Sequence, residues 1–163
     1  MSSRRRRTAG PLIETMHDPG DEEATIEPVS KQDAAIRQLR TAIWLFFEDE
    51  DMLSVQTLVA AAHGILSCLV KLKKGRSFLK DNDLIWPEYM TEWKRILNVA
   101  PNFLKHADRD PNESLQFRPE MVQFWILDCV FMEEILTVSR LHESIVFMAW
   151  CVKGTRICLG RTL

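Results

Sequence analysis

The chain has 163 residues, 46% of them hydrophobic and 27% charged, with a formal net charge of -2. This composition excludes wholesale disorder and fibrous classes, and the length fits one domain better than two. Residues 1–30 carry four Arg against six acidic residues, which leaves 17 charges of each sign in residues 31–163; so neutral a body argues against tight, sequence-blind binding of long duplexes.

Residues 1–29 read as a disordered charged tail. An Arg run, Gly10-Pro11, Pro19-Gly20, an acidic cluster and Pro28 leave too few apolar groups to offset the entropy of ordering the backbone. Arg4–Arg7 suits an anchor for nucleic acid or anionic lipid, or simply a solvated tail. It is not followed by the apolar core of a signal peptide, since TAGPLIETMHDPGDEE stands there. No stretch approaches the roughly 18 uninterrupted apolar residues of a membrane helix. The expectation is a cytoplasmic protein with no membrane partner.

From Ser30 the pattern is helical. Ser30 with Asp33 resembles a capping box. Ile36, Leu39, Ile43, Phe46 and Phe47 then recur along one stripe of a 3.6-residue helix. The acidic run Glu48–Asp51 marks its stop, because negative charge is unfavourable at a helix C-terminus. Ser54 is the next N-cap candidate. Val55, Leu58, Val59, Ala62, Ile65, Leu66 and Leu69 form the apolar face of a second helix, which reaches about Leu72 and ends at Gly75. Within it, Ala60–Ala62 and Gly64 suit close approach by a neighbouring helix or a ligand.

Residues 75–86 read as a linker, and Pro87 fits the first position of a third helix. Its stripe, Met90 to Leu104, continues to about residue 106 with a kink or a break at Pro101. Pro119 opens a fourth helix, about 119–137, apolar on more than one face and therefore central to its bundle. Leu141, Ile145, Met148 and Val152 mark a fifth, followed by a basic tail. The expected fold is all-α: a bundle of four principal helices and a fifth packing helix over 30–153, with a C-terminal tail over 154–163.

Asp128 stands inside MVQFWILDCVFM, where an unpaired carboxylate would be costly to bury. It needs solvent, a partner or a raised pKa, and His63, Lys105 and His106 are candidate partners. His63 borders the second helix's apolar stripe. The segment PNFLKHADRDP concentrates polar groups at a helix end. There His106 suits general acid–base work, Lys105 suits stabilisation of phosphorane charge, and Asn102 lies one turn before His106. Alternatively, Lys105 and His106 meet the helix dipole while Asp108 and Asp110 build the turn. Cys68, Cys129 and Cys151 sit in apolar stretches and behave as small buried hydrophobes, which disfavours a cysteine nucleophile. No Cys/His pair has zinc-ligand spacing, so no metal or other cofactor is expected. Trp86 and Trp93 flank the linker, as core residues or as a partner patch.

The stretch AIWLFFEDEDMLSVQTLVAAAHGIL, followed by NFLKHADRDP, resembles a family of uncharacterised bacterial helical proteins over roughly residues 31–137. More loosely, Asn-x-x-Lys-His near a helix end is similar to the HEPN superfamily, many of whose members are metal-independent ribonucleases of toxin or defence systems. Asn102 and His106 match the polar residue and the His of its motif, whereas Pro101 occupies the place of its Arg. The resemblance implies an RNA partner and catalysis by His106 and Lys105. A non-enzymatic interaction or regulatory bundle, acting as a homodimer or on a protein partner, is the reading preferred from the residues. Surplus apolar groups on the fourth and fifth helices, among them Trp125, Phe131, Phe147 and Trp150, support it.

Overall fold

The computed structural model describes residues 26–81, 83, 85–106, 108 and 111–159, with side chains as far as Gly154. Up to Thr25 the charged tail, Arg4–Arg7 included, lies outside the described residues, and so does Asp110. Among those described there are five α-helices and no strand: α1 (Lys31–Phe47), α2 (Met52–Leu72), α3 (Met90–Phe103), α4 (Val122–Leu136) and α5 (His142–Leu159). The fold is the all-α bundle expected from the periodicity. Helix α5 runs to Leu159, beyond the boundary placed at 153, because VKGTRICL contains no proline to stop it.

Local chemistry sets the helix ends. Ser30 caps α1, its Oγ accepting from the Asp33 amide at 3.0 Å and donating to the Asp33 carboxylate at 2.6 Å. Asp51, rather than Ser54, caps α2 by accepting from the Leu53 and Ser54 amides. The same acidic run thus ends one helix and begins the next, since a carboxylate favours an N-terminus as much as it disfavours a C-terminus. Arg37 binds Glu27 with both terminal guanidinium nitrogens and ties the segment before α1 to its flank. This contact lowers the Glu27 pKa. Short 3₁₀ turns at Pro87–Tyr89 and Pro119–Met121 lead into α3 and α4. Helix α3 passes through buried Pro101 and ends at Phe103, short of residue 106.

The centre of the bundle is α2 packed between α1 and α4, with α3 and α5 lying on it more lightly. Leu39 and Ile43 of α1, Val55, Val59, Leu66 and Val70 of α2, and Ile126 and Met132 of α4 are sealed from solvent. By length and composition alone α2 is apolar enough to cross a membrane, with a mean hydropathy of 1.7. A count of uninterrupted apolar residues misses this, because Gln56, Thr57, His63 and Ser67 punctuate the helix. The core helix of a bundle passes the same test, and α2 buries Val55, Val59, Ala62, Leu66 and Val70 in the common core.

Several details depart from the sequence expectations. Cys68 is exposed on the outer side of α2, whereas Cys129 is buried and Cys151 half-buried. Gly64 is exposed and a Cβ there would meet nothing, so no helix or ligand crowds it. At the end of α2 the left-handed residue is Lys74, with φ 59°, and not Gly75. Gly75 is needed for space: a Cβ would come within 2.5 Å of Val70 Cγ1 and 3.2 Å of Ile135 Cδ1. Gly75→Ala should therefore cost about 1–3 kcal/mol by forcing the packed Val70 to shift. Gly64→Ala should add up to about 1 kcal/mol by improving helix propensity. Urea unfolding midpoints that move in opposite directions for the two variants are the expected result.

Candidate functional site

The polar centre of the molecule is built around Asp128, on the inward side of α4. Its carboxylate is sealed from solvent, and so is the His63 ring of α2. His63 Nε2 donates to Asp128 Oδ2 at 2.8 Å. The linker supplies the other donors. Ser77 Oγ donates to Oδ2 at 2.5 Å, the Phe78 amide to Oδ1 at 2.9 Å and the Leu79 amide to Oδ2 at 3.4 Å. Ser77 Oγ in turn accepts from the Lys80 amide at 2.9 Å, closing a tight turn around the carboxylate. The costly buried acid is thus fully engaged, by His63 among the partners expected and by a loop that sequence spacing did not point to.

Serine, histidine and aspartate together invite comparison with a nucleophilic triad. That chemistry needs the histidine between the other two, with one ring nitrogen on the carboxylate and the other on the hydroxyl. Here the hydroxyl and Nε2 both address the same carboxylate oxygen. His63 Nδ1, the nitrogen left over, is buried without a hydrogen-bond partner among the described residues. Ser77 and His63 are both shielded from solvent. The arrangement pins a loop and presents no nucleophile.

Trp125 packs edge-on against His63, with ring centroids 4.7 Å apart. Lys80 Nζ stands 5.3 Å from a Trp125 ring centroid and donates to Asn98 Oδ1 at 3.1 Å. Burial pushes the Lys80 ammonium below the usual lysine range, nearby Lys105 adds to the shift, and Asp128 opposes it. Trp93 is part of this scaffold, its Nε1 donating to the Leu79 carbonyl at 2.7 Å, while Trp86 lies exposed.

A second buried acid, Glu133, does for α5 what Asp128 does for the linker. One carboxylate oxygen accepts from the Leu141 amide at 2.6 Å, and the other accepts from Ser144 Oγ. The sequence holds a mark of it: Glu133 follows Asp128 by five residues inside the same apolar helix. Ser77 carries no comparable mark, since one hydroxyl in a linker rich in turn residues does not stand out.

Asn102, Lys105 and His106 are placed together at the exposed end of α3, where the Lys105 and His106 amides both donate to the Asn102 carbonyl. His106 Nδ1 lies 3.9 Å from an Asp108 carboxylate oxygen. Among the described residues no hydrogen bond or ion pair joins this group to the Asp128–His63 centre: of His63, Lys105 and His106, the partners expected for Asp128, His63 alone bonds to it. Among the described residues, no three His, Cys, Asp or Glu side chains gather as a metal site. No protein-family model matches the chain, and neither a curated protein nor a solved structure is significantly similar to it.

Asp128→Ala would strand His63 Nε2, Ser77 Oγ and two backbone amides in the core. It should lower stability by about 3–5 kcal/mol, the cost of breaking one side of a buried pair. Hydrogen exchange should show the Phe78 and Leu79 amides losing protection first. Unchanged protection at those amides would mean that the carboxylate does not hold the turn.

Proposed function

We propose that the chain is a non-enzymatic interaction bundle, and that its contact surface is the face shared by α1 and α5. Trp150 stacks with Phe46, Phe47 and Phe147, with ring centroids 5.3–6.1 Å apart. While Phe147 is sealed, Trp44 is 57%, Val146 56%, Trp150 42% and Phe47 40% exposed. That cluster of open aromatic and branched side chains carries the reading, because monomers rarely leave such contiguous apolar surface to water. Of the four residues expected to be surplus on α4 and α5, Trp125 and Phe147 belong to the core, and Phe131 and Trp150 remain open.

A second copy of the chain is the occupant that fits best. The body carries equal numbers of opposite charges, so little repulsion opposes self-association. Aromatic residues with a sealed base and an open rim are also typical anchors of protein contacts. The competing reading, a metal-independent ribonuclease, draws on the shared exposure of Asn102, Lys105 and His106. It lacks a cation in the place of Pro101, which is buried.

Light scattering on the full chain at about 50 µM should give twice the monomer mass. Trp150→Glu and, separately, Val146→Glu should return it to the monomer while circular dichroism stays helical. A wild-type monomer at that concentration would contradict the dimer. Cleavage of single-stranded RNA by the wild type, abolished in His106→Ala, would replace this reading with the catalytic one.

A further inference from the structure

We propose that a cavity between α3 and the segment leading into α4 is a binding site for a compact aromatic carboxylate. This inference does not depend on the dimer. The cavity measures about 180 Å³, comparable to engineered apolar cavities of about 150 Å³ that admit one benzene ring. Leu97 and Ala100 of α3, Phe117 of the incoming segment and Trp125 of α4 give it apolar walls. It lies where α3 packs only lightly on α2.

Two side chains of its lining have donors with no protein partner among the described residues. Gln56 of α2 lines the cavity at 2% exposure, and its Nε2 is buried with no hydrogen-bond partner among the described residues. Native interiors leave few such donors unpaired, and rotation of the side-chain amide about χ3 would present Nε2 to an oxygen acceptor in the cavity. Arg118 lines the same cavity from its exposed side and has no carboxylate partner among the described residues. A guanidinium fork recognises a carboxylate with two parallel hydrogen bonds. Apolar walls of single-ring size, a buried amide donor and an open guanidinium together describe one ligand chemistry. It is a planar ring with a carboxylate at the mouth and an acceptor oxygen at the opposite, buried end.

The test is a ¹H–¹⁵N titration of the full chain with 4-hydroxybenzoate, benzoate and the neutral 4-hydroxybenzyl alcohol. Both acids should move the Trp125 indole and Gln56 side-chain amide signals saturably, with dissociation constants near 1 mM, and 4-hydroxybenzoate should bind more tightly. The neutral alcohol should bind about tenfold more weakly than its acid, and Arg118→Gln should erase that gap. Gln56→Leu should erase the advantage of 4-hydroxybenzoate over benzoate. Because Arg118 is on the surface, its variant keeps the test valid even if Gln56→Leu fails to fold. Absence of saturable shifts with either acid up to about 10 mM would overturn the proposal. Equal binding of acid and alcohol to the wild type would do the same, since the cavity would then be only an apolar void.

Discussion

One buried carboxylate organises this bundle. Taking an ionised Asp128 out of water costs several kcal/mol, and the cost is offset only where good donors surround it. Four do: a ring N–H from α2, a hydroxyl and two backbone amides from the linker. Hydrogen bonds to a charged acceptor are about twice as strong as neutral ones. The carboxylate therefore ties α4 to α2 and fixes the turn at 77–80. Through Trp93 on the Leu79 carbonyl and Lys80 on Asn98, that turn holds α3. Glu133 repeats the device at the start of α5. Five residues on a helix correspond to a rotation of about 140°, so the two acids address different neighbours from one helix.

The division of labour has a consequence for function. Helices α1, α2 and α4 supply most of the apolar core, to which α3 adds Leu97 and α5 adds Phe147, while polar contacts from the linker and Glu133 fix where α3 and α5 begin. The side chains that look most chemical in the sequence, His63 and Asp128, are spent on such contacts. The surfaces left available lie on the two outer helices: an aromatic face beside α5, and a lined cavity beneath α3. Both contacts proposed above therefore lie at the periphery of the packed centre.

Much of the architecture was legible because apolar periodicity of 3.6 recurs with clear caps and breaks. The Ser30 cap and the all-round apolar character of α4 are local properties, and both hold. A lone carboxylate in an apolar helix also announced its need for a partner, and His63 was among the residues named. What local reading misses is direction. Cys68 has apolar neighbours yet faces outward, because a helix turns about 100° per residue. Ser54 looked like a cap, but Asp51, three residues earlier, offers a charged acceptor at the helix end. Ser77 acquires its role only from Asp128 of α4, some fifty residues away, and Gly75 from the packing of Val70 and Ile135 around it. His106 was also named as a partner of Asp128, but it lies past the end of α3 beside Asp108, and His63 makes the contact instead.

A double-mutant cycle on His63 and Asp128 tests the central claim most directly. His63→Leu, Asp128→Leu and the double variant are unfolded in urea, and the stability losses of the two singles are compared with that of the double. If the pair is a structural tie, the losses will be non-additive, with a coupling energy of about 1–3 kcal/mol. Losses that add to within about 0.5 kcal/mol would mean the two side chains act independently, and the buried carboxylate would not be the interaction on which the bundle depends.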